Sequence, residues 1–210
     1  MNYKYILWDW NGTLLDDVTA CLDSVNDMLD ARGLDRIDIA RYREVIGVPI
    51  IKFYEKVFDL EKYDYADIIR DFNEGYIRHL DEAHISDGAA ELLEYFKNRG
   101  CRQIIVSSSN NELLRKNTEK YGVAGYFDAI LGSDDFFAGS KIERALAYIK
   151  ENGAGKSLAI GDLEHDYELA RETGSDSILL ASGHDKRERL EKTGARVVDS
   201  LREVIDLIGR

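Results

Sequence analysis

The order of hydrophobic and polar positions predicts strands and helices that alternate along most of the chain. A short apolar run near Tyr3–Asp9 is typical of a buried strand, and Asp17–Arg32 carries apolar residues at helical spacing. Beyond Ser86 we expect strands at Gln103–Val106, Ala129–Leu131, Leu158–Ile160, Ser177–Leu180 and Arg196–Val198, and helices at Gly88–Asn98, Asn111–Tyr121, Ile142–Glu151, Asp166–Thr173, Lys186–Lys192 and Leu201–Ile208. This alternation predicts an α/β fold, a Rossmann-like parallel sheet with helices on both faces.

A helical segment interrupts that alternation after the first strand. From residue 33 to about Ser86 no convincing strand is found, whereas Ile37–Val45, Ile50–Phe58 and Tyr65–His79 have helical patterns. Pro49, the only proline, stands at a plausible helix start. We therefore expect an all-helical cap domain over residues 16–85, inserted into an α/β core made of residues 1–15 and 86–210.

Composition excludes several classes of function. The chain has 210 residues and a net charge of -12, so nucleic acid and anionic membrane surfaces are poor partners. No apolar run approaches the roughly 20 residues of a membrane span, and no signal peptide is recognised. The two cysteines, Cys21 and Cys101, do not make a disulfide framework. We expect a cytoplasmic protein that is a monomer or a weak homodimer.

Polar residues follow two of the predicted strands. Asp9 ends the first strand and precedes the turn Asn11-Gly12-Thr13, in which glycine permits a tight turn or close approach to a ligand. The predicted strand Gln103–Val106 is followed by Ser107, Ser108, Ser109 and Asn110. Hydroxyl and amide groups there can bind a phosphate, although serine and asparagine also favour simple helix capping.

Two further segments carry charged residues at predicted helix starts. Lys141 follows the turn Ala138-Gly139-Ser140, where a lysine opposes the helix dipole, although it can equally be a solvated charge. Asp162 follows another strand, and the spacing to Asp166 predicts two carboxylates on one helix face. Together with Asp9 they suit Mg²⁺, which prefers oxygen ligands; helix capping is the alternative for the pair.

These segments together resemble the haloacid dehalogenase superfamily. The matching residues are Asp9-Trp10-Asn11-Gly12-Thr13, Ser107, Lys141 and Gly161-Asp162-Leu163-Glu164-His165-Asp166, in the family's order. The carboxyl ends of parallel strands converge on one sheet edge, so these residues are expected to meet. The insertion resembles the family's helical cap, and the whole chain is most similar to the phosphoglycolate phosphatase-like branch.

The resemblance implies a phosphatase that forms an aspartyl-phosphate on Asp9. Mg²⁺ would be held by Asp9, the backbone carbonyl of Asn11 and Asp162, with Asp166 acting through water or orienting a neighbour. The implied substrate-binding residues are Thr13, Ser107, Ser108 and Lys141, with Lys52 in the expected cap substrate loop. Lys141 would also keep Asp9 ionised.

Asn11 departs from the family pattern. Phosphatases of this family usually carry a second aspartate there, which protonates the leaving group and later activates water. A carboxamide donates hydrogen bonds but exchanges no proton near neutral pH. Asn11→Asp is therefore expected either to accelerate hydrolysis of the intermediate or to impair it by adding negative charge. His165 is the nearest titrating group in sequence, but it points away from the predicted carboxylate face.

Three functions are compatible with these residues. The first is a Mg²⁺-dependent phosphatase of a small phosphorylated metabolite. The second is a phosphate-binding or regulatory protein with weakened catalysis, which Asn11 favours. The third is a dehalogenase, which the pair Asp162 and Asp166 disfavours because hydrolytic dehalogenases need no metal. The sequence leaves the physiological substrate and the group that replaces the usual acid/base aspartate undetermined.

Overall fold

A six-stranded parallel sheet is the centre of the molecule. The computed structural model describes residues 3–133 and 141–208. Along the chain the elements are β1 (Tyr5–Trp8), β2 (Leu15–Asp16), α1 (Val18–Ala31), α2 (Ile39–Val45), α3 (Ile51–Val57), α4 (Tyr65–His79), β3 (His84–Ile85), α5 (Ala89–Asn98), β4 (Arg102–Asn110), α6 (Asn111–Lys120), β5 (Ala129–Ser133), α7 (Lys141–Asn152), β6 (Ser157–Gly161), α8 (Glu164–Thr173), β7 (Asp176–Leu180), α9 (Arg187–Lys192), β8 (Arg196–Val198) and α10 (Leu201–Ile208). The strand order is β5-β4-β1-β6-β7-β8, and every neighbouring pair is parallel.

Strand β1 lies inside the sheet because its side chains are apolar on both faces. All four of its residues are buried, as expected for a parallel strand covered by helices on each side. Ile6 and Trp8 point into the larger core, whereas Tyr5 and Leu7 point into a second, smaller one. The indole Nε1 of Trp8 donates to Gln103 Oε1 at 3.0 Å, which satisfies the polar edge of this buried ring.

Helices cover both faces of the sheet, as predicted. Leu92 and Phe96 of α5 and Val204 of α10 belong to the larger core, on the Trp8 side. Ala145 of α7 and Leu169 of α8 belong to the smaller core on the opposite side. The predicted Rossmann-like α/β fold with a helical insertion is therefore confirmed.

Two short strands at the ends of the helical insertion differ from the prediction. Strand β3 lies in a stretch for which no strand was expected, and β2 and β3 pair antiparallel with Leu15 opposite Ile85. Each strand has only two residues, which is too few for an alternating hydrophobic pattern to predict it. The two strands pair because the chain leaves the core and returns to it at neighbouring positions. The boundaries 16–85 for a separate cap domain stay a prediction.

Element boundaries elsewhere shift by a few residues. Strand β4 includes the serine run that was expected to follow it, with a change of register between Val106 and Asn110. Asn110 also caps α6, since its Oδ1 accepts from the backbone N–H groups of Glu112 and Leu113, so the capping alternative is correct for this residue. The predicted turn Ala138–Ser140 lies outside the described residues. Within the described ranges, no helix has the length and apolar character needed to span a bilayer.

Candidate active site

Asp9 stands at the carboxyl end of β1, in the middle of the sheet. Its backbone N–H donates to the carbonyl of Ile160 on β6 at 2.9 Å, so the strand pairing continues to this residue. The chain then turns at Gly12, whose φ of 71° is in the left-handed region. A Cβ on Gly12 would lie 2.3 Å from Asp162 Oδ2, so only glycine lets this turn approach the second carboxylate.

Lys141 connects two of the predicted site carboxylates. Its Nζ lies 2.6 Å from Asp9 Oδ1 and 2.5 Å from Asp166 Oδ1, and all three side chains are buried. Burial lowers the pKa of Lys141, but Asp166 and Asp9 outweigh this effect and raise it, so the ammonium is charged at neutral pH. Burial also raises the pKa of Asp9 to about 6, against the lowering by Lys141. At pH 7 Asp9 is therefore mainly ionised.

Asp162 lies beside Asp9 at the end of β6. Its Oδ1 accepts from Thr13 Oγ1 at 3.1 Å, and its Oδ2 accepts from the backbone N–H of His184 at 2.6 Å. A Cβ on Gly183 would lie 2.3 Å from Asp162 Oδ2, so a second glycine makes room for this carboxylate. Burial raises the pKa of Asp162 well above its usual range. The charge of His184 and the hydrogen bond from its backbone N–H lower this pKa but do not offset the desolvation of the carboxyl group.

Asp166 forms the capping contacts of the helix-start alternative and also binds Lys141, while its role toward a metal stays a prediction. Its Oδ2 accepts from the backbone N–H groups of Asp162 and Leu163 at 3.1 and 2.9 Å, which satisfies free amides ahead of α8. Its Oδ1 accepts from Lys141. Asp162 precedes α8, so the expectation of two carboxylates on one helix face is wrong. They meet because Asp166 reaches back to the loop that follows β6.

The chemistry of these ligands fits a hard divalent cation. Asp9, Asp162 and Asp166 are all buried, and they offer oxygen atoms that lie within 4.8 Å of one another. As metal ligands the three carboxylates would carry three negative charges, and the one positive charge of Lys141 would leave a net charge of -2 in this buried space. Mg²⁺ prefers carboxylate oxygen and would offset this excess. The site can thus hold a metal.

The predicted phosphate-binding residues have different surroundings. Ser107 is buried at the carboxyl half of β4, and its Oγ accepts from the backbone N–H of Ser109 at 3.1 Å. Ser108 is exposed, and so is Lys52 on α3. Thr13 is fully buried and donates to Asp162. The binding roles of these residues stay predictions.

Asn11 uses its whole carboxamide in contacts within the protein. Its Nδ2 donates to Asp17 Oδ2 at 2.6 Å and to the hydroxyl of Tyr76 at 2.9 Å. Its Oδ1 accepts from Ser109 Oγ at 2.5 Å. Tyr76 belongs to α4 of the insertion, so this side chain joins the turn after β1 to both β4 and the insertion.

Asp17 is the centre of a second buried cluster that the sequence reasoning missed. Besides Asn11, it accepts from the backbone N–H of Gly12 at 2.8 Å and from the hydroxyl of Tyr76 at 2.7 Å. His184 Nε2 lies 3.3 Å from Asp17 Oδ1, and its Nδ1 lies 2.9 Å from the hydroxyl of Tyr42 on α2. In the sequence Asp17 is indistinguishable from an ordinary helix-start acid. His184, in contrast, follows strand β7, and its place at a strand end is a signal that could have identified it.

The charges of this second cluster are compensated. Burial raises the pKa of Asp17, but the bond from His184 and other donors outweigh it and lower that pKa. Burial lowers the pKa of His184, and the hydrogen bond with Asp17 overcomes this and raises it to about 9. The two groups therefore form a buried ion pair at neutral pH.

The insertion is attached to the core beside these two clusters. Arg43 of α2 donates to the carbonyls of Ser182 and Gly183 at 2.7 and 3.0 Å. In the opposite direction, Arg189 of α9 donates to the carbonyls of Glu44 and Ile46, each at 2.7 Å. These contacts hold α2 against the loop that contains His184. His165, in contrast, pairs with Glu168 on the surface of α8, in agreement with its predicted orientation away from the site.

Comparison with known proteins gives a consistent family. The family model described as haloacid dehalogenase-like hydrolase matches residues 6–180. A 5′-nucleotidase of Pseudomonas aeruginosa is 26% identical, with 90% of this chain and 88% of that protein covered. A phosphoglycolate phosphatase of Vibrio parahaemolyticus is 23% identical, with 98% and 96% covered. A haloacid dehalogenase-like hydrolase family protein of Streptococcus pneumoniae has the same fold, with a TM-score of 0.86, 18% identity and 99% of both chains covered. The chain belongs to the haloacid dehalogenase-like hydrolases.

Proposed function

We propose that this protein is a Mg²⁺-dependent phosphatase that hydrolyses a small phosphorylated metabolite through an aspartyl-phosphate on Asp9. The observation that carries the proposal is the position of Asp9, buried at the end of the central strand and 2.6 Å from Lys141 Nζ. A buried carboxylate that stays ionised beside a fixed cation is suited to attack an electrophile. The family membership and the phosphatase and nucleotidase relatives support the same chemistry.

In the first step, an oxygen of Asp9 attacks phosphorus while the bond from phosphorus to the leaving oxygen breaks. Lys141 and the hydroxyl of Ser107 bind the phosphoryl oxygens, and the ammonium offsets charge that builds up on them in the transition state. Asp166 holds Lys141 in place for this task through its 2.5 Å contact. The leaving oxygen takes its proton from solvent, because the Asn11 amide cannot supply one.

Asp9, Asp162 and the backbone carbonyl of Asn11 would hold Mg²⁺, with Asp166 in its outer shell. When bound, the ion offsets the repulsion between the site carboxylates and an anionic substrate. In the second step, water attacks phosphorus and releases Asp9 and inorganic phosphate. No carboxylate at position 11 helps this water, so hydrolysis of the intermediate is the slow step, and product release should show a burst followed by slower turnover.

We infer the substrate only as a chemical class, and the names of the relatives support that class. The two relatives described above are named as a 5′-nucleotidase and a phosphoglycolate phosphatase, names that denote small phosphate monoesters as substrates. We therefore include nucleoside monophosphates and phosphoglycolate in the first panel of substrates. The similarity to these relatives, 23–26% identity, does not select between them.

A phosphate-binding or regulatory protein with little turnover is the second candidate. The specific observation in its favour is that both amide hydrogens of Asn11 are occupied by Asp17 and Tyr76. The two candidates agree on binding and differ on turnover.

Turnover of an aryl phosphate with and without Mg²⁺ tests the proposal. We expect a burst of aryl alcohol equal to the enzyme concentration, followed by steady turnover that EDTA abolishes. Binding of phosphate with no release of aryl alcohol would support the second candidate instead. The same assay with the metabolite panel then identifies the preferred substrate class.

A further inference from the structure

The side chains of Asn11 and Asp17 have complementary hydrogen-bonding groups. Asn11 Nδ2 donates to Asp17 Oδ2 at 2.6 Å, and the orientation of the amide is fixed by its other end, which accepts from Ser109 Oγ. A flipped amide would turn its oxygen toward the Asp17 carboxylate, which has no hydrogen to donate when ionised. The amide hydrogens therefore face Asp17 and Tyr76, away from Ser109.

Asp17 also holds the backbone of the active-site turn. Its Oδ1 accepts from the N–H of Gly12 at 2.8 Å, next to the residue whose carbonyl is expected to bind the metal. The carboxylate is 1% exposed and lies in contact with Asn11, Gly12, Tyr76 and His184. One carboxylate thus fixes both the side chain at position 11 and the turn that carries it.

The same geometry disfavours a second ionised carboxylate at position 11. An aspartate there would place a carboxylate oxygen where Nδ2 now stands, 2.6 Å from Asp17 Oδ2. Two ionised oxygens at this distance in a buried space repel strongly. A carboxylate at position 11 is compatible with the fold when position 17 carries the amide, since donor and acceptor are then exchanged.

We propose that Asp17 is a positioning residue of the active-site turn, and that positions 11 and 17 form a coupled pair that accommodates one carboxylate and not two. Asp17 acts through Asn11 and Gly12 and need not touch the substrate. The kinetic consequence rests on the proposed phosphatase function, whereas the consequence for folding does not. It follows that Asn11→Asp alone does not restore acid/base help, and that the exchange Asn11→Asp/Asp17→Asn does.

A double-mutant cycle measured by urea unfolding tests the coupling without reference to activity. Asn11→Asp should increase the unfolding equilibrium constant by about tenfold or more when Asp17 is present, and by much less in the Asp17→Asn background. Asn26→Asp is the matched control. Asn26 is also a buried asparagine, and its side chain is hydrogen-bonded to the backbone of Ile37. Its substitution should change the unfolding equilibrium constant by the same factor with Asp17 and with Asp17→Asn.

Burst kinetics with an aryl phosphate give the second measurement. We expect the exchanged pair to hydrolyse the intermediate about tenfold faster or more than the wild type, while Asn11→Asp alone gives no gain. The KM should change little, since neither side chain is assigned to substrate binding.

The two measurements show separately whether the coupled pair at positions 11 and 17 or the phosphatase function is wrong. Additive effects on unfolding, or a rate gain in Asn11→Asp alone that equals that of the exchanged pair, would overturn the coupled pair. Coupled unfolding with no turnover in any variant would retain the pair and reject the phosphatase function.

Discussion

The carboxylates of Asp9 and Asp162 and the carboxylate of Asp17 are all buried within one small region, yet their surroundings differ. Among the described residues, Lys141 is the cation that forms salt bridges with Asp9 and Asp166, and the charge of His184 acts on Asp9 and Asp162 without a salt bridge to them. Burial raises the pKa of Asp9 to about 6, and it also raises the pKa of Asp162 well above its usual range. Around Asp17, donors from five side chains and backbone groups converge, and its pKa is lowered despite burial.

The difference separates a ligand site from a structural cluster. A buried carboxylate whose donors do not offset its desolvation is unfavourable in the isolated protein, and a bound cation stabilises it. A carboxylate that already accepts hydrogen bonds from several donors stabilises the fold, and a bound cation would add no further stabilisation. The sheet edge is thus prepared for an added cation, whereas Asp17 is prepared to hold the turn and the insertion together.

The largest expected effect concerns Asp9, the proposed nucleophile. Asp9→Asn should reduce aryl-phosphate turnover by about 10³-fold or more, because the substitution keeps the shape and removes the attacking charge. Stopped-flow and steady-state assays measure this. Asp176→Asn is the matched control, since Asp176 begins strand β7 and pairs with Lys156 away from the cluster. Activity of Asp9→Asn within tenfold of the wild type would exclude the role.

Asp162→Asn should have opposite effects on the free and the Mg²⁺-bound protein. In EDTA the variant should be more stable by about 1 kcal/mol, because a buried carboxyl group whose donors do not offset its desolvation is replaced by a neutral amide. Its Mg²⁺ affinity, measured by calorimetry, should fall about tenfold or more. Asp185→Asn is the control. That buried carboxylate already pairs with Arg189 at 2.8 Å, so its loss should destabilise the protein and leave Mg²⁺ binding intact. Unchanged Mg²⁺ affinity in Asp162→Asn would contradict the ligand assignment.

The sequence predicted the sheet-edge cluster and missed the Asp17 cluster for a physical reason. Asp9, Lys141, Asp162 and Asp166 follow or open elements of a parallel sheet, and that topology brings such positions together whatever the details of packing. The Asp17 cluster depends on how the insertion packs against the core. Tyr42 and Tyr76 look like ordinary apolar helix positions, and no spacing relates them to His184, which is more than 100 residues away. Element boundaries were predictable where periodicity is strong, as in α4, and not for the two-residue strand β3.

A smaller effect is expected from the contact of the insertion with Asp17. Tyr76→Phe removes a hydroxyl that donates to Asp17 and accepts from Asn11, so it should lower the free energy of unfolding by about 1–2 kcal/mol. Urea unfolding measures the loss. Tyr65→Phe, on the same helix, is the control. Its hydroxyl forms no hydrogen bond among the described residues, so the free energy of unfolding should change by no more than about 0.5 kcal/mol. Equal effects of the two variants would mean that the Asp17 cluster adds no stability through the insertion.

The smallest effect concerns a solvated counterpart of the Asp17–His184 pair. Asp27 of α1 and His79 of α4 have the same residue types, with Nε2 and Oδ2 3.0 Å apart, but they lie near the surface. The hydrogen bond with Asp27 raises the pKa of His79 above its ordinary 6.5. A histidine with a raised pKa in the folded state contributes stability that is fully present below 6.5 and is lost as the pH rises through the folded-state pKa. His79→Gln should therefore lower the free energy of unfolding more at pH 6 than at pH 9. The difference between the two pH values should remain below about 1 kcal/mol because solvent screens the pair.

Urea unfolding of the wild type, His79→Gln, Asp27→Asn and the double variant at both pH values measures this difference. The second substitution should add little to the first at pH 6, and a pH-independent loss would show that His79 acts through packing rather than through charge.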